Sequence, residues 1–193
     1  PVDSSFERLK IYEKNSFSRD VFFAMSHGVH RGILKKGKFD VRENFIKNLI
    51  SKTPNIRYDV YGMNNIQPIW ADNYIKAISG SKMGLNLSQG EPIKYYSSDR
   101  FSQLIGNGLL TFVDANTKLN DFFTSNELIF YNNISDLAEK LNKYNRDDRQ
   151  RKKIARSGRD KYFKYFNSTL VAEFIIDRTF YQKNKKKYLW EDK

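Results

Sequence analysis

Met83–Val113 reads MGLNLSQGEPIKYYSSDRFSQLIGNGLLTFV, and its punctuation decides the fold. A short apolar run, Met83–Leu87, gives way to a polar loop that ends at Ser98, a residue suited to cap a helix N-terminus. Phe101, Leu104 and Ile105 then recur at helical spacing. Gly106 and Gly108 stop the helix, and Leu109–Val113 forms a second apolar run. Strand, helix and strand in this order make a βαβ unit, whose strands are parallel and buried on both faces.

The same alternation extends outward in both directions. Val21–Met25 (VFFAM) reads as a buried strand, and Asp40, three residues before Glu43, predicts a capping box. Val41, Phe45, Ile46, Leu49 and Ile50 share one face of the helix that follows, and Pro54 ends it. Arg57–Tyr61 is another strand. Ala71, Tyr74, Ile75 and Ile78 mark a helix closed by Gly80, and Leu128–Tyr131 is a fifth strand after a short helix around residues 118–122. Helices at 135–144, 148–166 and 169–180 complete the pattern. The economical solution is an α/β, Rossmann-like doubly wound parallel sheet of about five strands with a helical C-terminal extension. The expected division is an N-terminal linker or helix at 1–18, the sheet domain at 19–180 and a basic tail at 181–193.

Composition bounds the function classes. The chain has 193 residues with 15 Phe and 12 Tyr, enough to bury a core. It has no cysteine, which excludes disulfides and thiolate metal sites and fits a cytoplasmic setting. No apolar stretch approaches the roughly 20 residues needed to span a bilayer. The net charge of +12 is concentrated late: from Lys140 onward 17 Lys or Arg face 7 Asp or Glu. A solvated helical face explains most of this, and Lys183–Lys187 with Trp190 suits a peripheral contact with an anionic membrane.

Ligands of an open parallel sheet bind beyond the carboxyl ends of its strands, which selects the loops at 26–38, 62–70, 88–100 and 114–117. The first, SHGVHRGILKKGK, combines backbone N–H groups near glycines such as Gly28 with several cations, a mixture suited to a diphosphate. Gly32–Lys38 spells the glycine and lysine frame of a Walker loop, but Phe39 stands where Ser or Thr must hold magnesium, so an NTPase site is rejected. His27 and His30 lack a third ligand in their loop, and no metal site is expected. In the third loop, Ser97, Ser98 and Arg100 meet at a helix N-terminus, an arrangement that favours phosphate.

Taken in order, the basic loop, SKMGLNLS, SSDRFSQLIGNGLLTFVD and the later FYNNISDLAEKLNKY and RKKIARSGRDKYFKYFN give a pattern that resembles the C-terminal lobe of GT-B glycosyltransferases. It resembles especially the CgeB-like branch of the group 1 glycosyltransferases, from about Arg19 to about Phe180. The resemblance implies a lobe that binds a nucleotide-diphosphate sugar, with the acceptor and catalytic base largely on an N-terminal lobe. It assigns Arg31 and Lys36, the latter followed by Gly37, to the diphosphate. It places Gln103 where the family carries a ribose-binding Glu, a neutral and therefore weaker partner for a hydroxyl. A second family Glu falls at Tyr95, which leaves retaining chemistry without its usual residue, whereas Tyr95 and Tyr96 could stack on a base or sugar.

The expected donor site is therefore Gly28, Arg31, Lys36, Ser97, Ser98 and Arg100 around the diphosphate, with Gln103, Tyr95 and Tyr96 around ribose or sugar. No cofactor or metal is needed, because cations and a helix dipole stabilise the departing diphosphate. Expected partners are the donor, an acceptor that is a glycan, a lipid-linked molecule or a protein, and an N-terminal lobe. The residue that deprotonates the acceptor is not identified. The competing readings are a non-catalytic nucleotide- or sugar-binding module, favoured by Gln103 and Tyr95, and a nucleic-acid-binding domain, which no motif supports.

Overall fold

Strand β1 (Arg19–Ala24) is buried from its second residue to its last, as a central parallel strand must be. Val21 and Phe23 enter the core on one face of the sheet, Phe22 and Ala24 on the other. The computed structural model describes residues 1–26, 33–34, 38–180 and 188–191. In chain order there follow β2 (Ile33–Leu34), β3 (Lys38–Phe39), α1 (Val41–Lys52), β4 (Tyr58–Tyr61), α2 (Ala71–Ser79) and β5 (Ser81–Asn86). Next come α3 (Asp99–Gly106), β6 (Leu110–Asp114), β7 (Ile129–Tyr131), α4 (Ile134–Arg146), α5 (Asp148–Tyr165) and α6 (Ser168–Thr179).

Five strands form one sheet in the order β4-β1-β5-β6-β7, and every neighbouring pair is parallel. The doubly wound α/β architecture read from the sequence is the one observed. The short helix expected around residues 118–122 resolves into two 3-10 turns, Ala115–Thr117 and Leu119–Asp121, hinged at left-handed Lys118. The small antiparallel pair β2–β3 stands apart from the main sheet and has no counterpart in the pattern reading.

Local chemistry sets the helix starts. Ser98, Asn133, Asp147 and Asn167 each accept a backbone N–H at the start of α3, α4, α5 and α6. Asp40 caps α1 by accepting the N–H of Arg42, whose guanidinium also grips its carboxylate, so Arg42 rather than Glu43 is the side chain tied to the cap. Only α2 among these helices begins without a side-chain cap, at Trp70.

Residues 1–18, expected as a linker or helix, pack against the domain, and so does Trp190. Residues 1–18 form no long helix: Val2 bridges Asn167, and Ile11 and Tyr12 are buried beside Asn107 and Gly108. Gly108 is left-handed (φ 79), and a Cβ there would stand 2.7 Å from the Tyr12 ring, so both backbone and space require glycine. At the other end Trp190 stacks on Tyr188 at 5.4 Å and lies 5.8 Å from Phe166. The Lys183–Lys187 cluster lies outside the described residues.

Candidate functional site

The strand order reverses between β1 and β5, and this switch point fixes where a crevice opens above the sheet. A cleft of about 630 Å³ occupies that place, walled by the start of α2, the loop after β5 and the first turns of α3. Arg100, in the first turn of α3, crosses its floor. Its Nε donates to the carbonyl of Ala24 at 2.7 Å, and its Nη1 donates to the carbonyl of Leu87 at 2.9 Å. These carbonyls lie at the ends of the two strands that flank the switch point, so one side chain fastens the crevice.

Arg100 has no carboxylate partner among the described residues, and its Nη2 makes no hydrogen bond there. Burial lowers its pKa, and the neighbouring Arg42 guanidinium lowers it further, to about 10. It stays charged at neutral pH but at an electrostatic cost that an anion would relieve. Arg42 itself is buried and locked on Asp40, with Nη2 to Oδ2 at 2.5 Å. Two guanidiniums thus share one region, and the Asp72 and Asp99 carboxylates also line the cleft.

Around these cations the cleft carries recognition chemistry. The half-buried side-chain amide of Gln103 lines it and forms no hydrogen bond among the described residues. Tyr96 (46% exposed) and Trp70 (65% exposed) present their rings at the rim, far more open than buried packing would leave them. Ala71, next to Trp70, holds a left-handed φ of 49°, a strain of about 1–2 kcal/mol for a residue with a Cβ. The Tyr74 hydroxyl is buried without a hydrogen-bond partner among the described residues, and burial drives its pKa up to about 12 although Arg100 opposes the shift.

Of the residues selected from the sequence, Ser98, Arg100, Gln103 and Tyr96 come together on this cleft. Within it Ser98 is already engaged, accepting the N–H of Phe101 and donating to buried Asn86 at 3.0 Å. Ser97 and Tyr95 line a different cavity on the far side of α3. Ser97 lies 3.3 Å from the Tyr162 hydroxyl, whereas Tyr95 donates to Asp121 at 2.6 Å and packs edge-on against Phe122. Gly28, Arg31, Lys36 and the two histidines lie outside the described residues. Trp70, Tyr74 and Arg42 were not selected from the sequence. For Trp70 a signal existed, an aromatic closing one of the loops that the strand-end rule chooses.

Among the described residues no helix is long and apolar enough to cross a membrane. Fold and cleft together define a doubly wound lobe with an anion-suited crevice at its switch point. The chain belongs to the glycosyl transferase-like family, whose sequence profile matches residues 42–177. Its fold is that of a GT-B glycosyltransferase domain. It is similar in structure to TarM, with a TM-score of 0.58, 10% identity and 84% of this chain matched to 36% of that one. It is also similar to sucrose-phosphate synthase from Thermosynechococcus elongatus, with a TM-score of 0.53, 13% identity and 95% of this chain matched to 50% of that one. The chain therefore spans about a third and a half of the length of these two proteins, and the likeness at such identities is one of fold. No curated protein matches it in sequence.

Proposed function

We propose that this chain is the donor-binding lobe of a glycosyltransferase and that the switch-point cleft holds a nucleotide-diphosphate sugar. The observation that carries the reading is Arg100, a cation fixed by two strand-end carbonyls and lacking a carboxylate among the described residues. A diphosphate would supply the missing charge, and the α3 N-terminus adds its dipole. Gln103 would bond the ribose, and Trp70 and Tyr96 would flank the base. As the bond between sugar and leaving oxygen breaks, negative charge gathers on the diphosphate. Arg100, with Arg31 and Lys36 of the first loop, would stabilise it, a role that needs no metal.

The order of motifs supports a member of the CgeB-like branch, acting from the cytoplasm on a glycan, lipid-linked or protein acceptor held largely by an N-terminal lobe. The basic tail suits contact with an anionic membrane surface. The neutral Gln103 favours one second reading, a lobe of the same fold that binds nucleotide without turnover. Calorimetric titration with UDP, GDP and ADP tests the donor site. Saturable binding of at least one is expected, and silence from all three at millimolar concentration contradicts the proposal.

A further inference from the structure

One wall of the switch-point cleft is made by the chain from Pro68 to Ile75, the end of the loop after β4 and the first turns of α2. Pro68 is buried, and Ile69 packs against the core cluster that contains Phe22 and Ile78, which pins the stretch at its start. Beyond that pin the tether is slight. Among the described residues, residues 67–70 make one hydrogen bond, in which the Trp70 carbonyl accepts the N–H of Tyr74 at 3.2 Å. The Trp70 ring is exposed at the rim, and α2 starts there with no side-chain cap.

Ala71 is the strained joint of this wall. It is the first residue of α2 and holds a φ of 49°, the left-handed region, where a Cβ crowds the following carbonyl. Asn64 and Asn65 are left-handed as well, at 53° and 61°. Asparagine tolerates that region, and these two shape a turn in which Ile66 donates its N–H to the Met63 carbonyl at 2.9 Å. Nothing comparable holds Ala71. Such strain persists where the surroundings over-determine it, and it gathers in segments that switch. Here the surroundings are open: Ala71 and Asp72 are exposed, and the one hydrogen bond of Trp70 runs into α2 itself. The backbone angles of Ala71 set the direction in which Trp70 leaves α2, so a return to right-handed values re-aims the ring and completes the first turn of the helix. We propose that Ala71 is a strained hinge and Trp70 the shutter that it moves. The free lobe keeps the cleft open with Ala71 left-handed, and a nucleotide that gains contact with Trp70 draws the hinge into the helical region and closes the wall. The inference rests on the donor-cleft reading above and adds to it a conformational step and the residue that drives it.

UDP, GDP and ADP are titrated by calorimetry into wild type, Ala71→Gly and Ala71→Val. Acrylamide quenching of tryptophan emission is followed in wild type and Trp70→Phe, with and without the best-binding nucleotide. The chain has two tryptophans, so the difference between these two proteins reports Trp70. Glycine is at ease in either conformation, and Ala71→Gly removes the strain that closure releases. It is expected to weaken the best-binding nucleotide about 5- to 30-fold, the left-handed cost of one residue expressed as an affinity, without lowering the melting temperature. A β-branched residue is worse than alanine in the left-handed region and acceptable in a helix. Ala71→Val is therefore expected to tighten binding about twofold or more while lowering the melting temperature. Quenching of Trp70 is expected to fall at saturation. Any other pattern of signs in the two variants, affinities within about twofold of wild type in both, or Trp70 quenching unchanged by a bound nucleotide would overturn the shutter. Failure of every nucleotide to bind wild type would instead overturn the donor-cleft reading, and the shutter with it, so the two outcomes are separable.

Discussion

The two ends of the sheet treat charge in opposite ways. At the amino ends of the strands, cations are matched. Asp20 is buried and receives Arg57 at 2.9 Å and Lys82 at 3.1 Å. Fully buried Arg151 is held by Asp148 at 2.6 Å. At the carboxyl ends, among the described residues, Arg100 is anchored to carbonyls alone, α2 lacks a side-chain cap, and the Tyr74 and Tyr131 hydroxyls have no partner. Natural interiors leave few polar groups unsatisfied, so their gathering on one side is a functional signature. On the proposed reading, the lower end holds the fold and the upper end is completed by a ligand.

Substitutions can break or sharpen that contrast. The largest loss of stability is expected on the scaffold side, at Gly158 of α5, where an added Cβ would meet the Glu127 carbonyl oxygen at 2.1 Å. Gly158→Ala must push α5 away from the turn at Glu127. A loss of about 3 kcal/mol is expected, read as a melting temperature lower by roughly 6–12 °C. A melting temperature within 2 °C of wild type, on the order of 0.5–1 kcal/mol, would show that the helix yields freely there.

Asp20→Asn comes next, with a loss of about 2 kcal/mol at neutral pH, because it leaves Arg57 and Lys82 facing a neutral group. Burial alone would raise the Asp20 carboxyl, but hydrogen bonds from Arg57 and Lys82 outweigh it and hold it at about 2, below the ordinary 3.8. A depressed carboxyl stabilises the fold above its unfolded value, and that stabilisation is lost as pH falls from about 4 towards 2. Melting curves across this window should show wild type losing its advantage over Asp20→Asn. Parallel curves would assign the acid response to other groups.

The smallest effect is expected at the upper end. Tyr131→Phe removes a buried hydroxyl with no partner among the described residues, so stability should rise by up to about 1 kcal/mol or stay unchanged. A clear fall in melting temperature would mean that the hydroxyl is satisfied in solution and that this end of the sheet is less incomplete than its geometry states.

How much of this was legible in the sequence follows from the range of each interaction. Apolar runs such as Val21–Met25 and caps such as Ser98 and Asp147 act locally, so strands, helices and their order could be read directly. The docking of residues 1–18 could not, because Val2 and Ile11 are single anchors that make their contacts near Asn167 and Asn107. The pair β2–β3 sits in a lysine-rich loop whose composition carries no strand pattern. At the site, Arg100 was legible because the strand-end rule selects its loop. Tyr95 and Ser97 were placed in the same loop, yet they face the other side of α3, since loop direction depends on the left-handed turn at Tyr95. The Arg42 contribution arises only when α1 is brought to the cleft, which no spacing in the chain encodes.

Titration of UDP, GDP and ADP into wild type, Arg100→Met and Asp20→Asn, with melting temperatures taken on the same samples, tests the division between the two ends most directly. Arg100→Met is predicted to weaken the best-binding diphosphate about 10- to 100-fold, the weight of a charge-assisted hydrogen bond, beyond the fall in melting temperature that unpairing the Ala24 and Leu87 carbonyls brings. Asp20→Asn is predicted to lower the melting temperature and leave affinity within about twofold. Equal diphosphate affinity in wild type and Arg100→Met would contradict the account, because the unmatched cation on the cleft floor would then have no anion to meet.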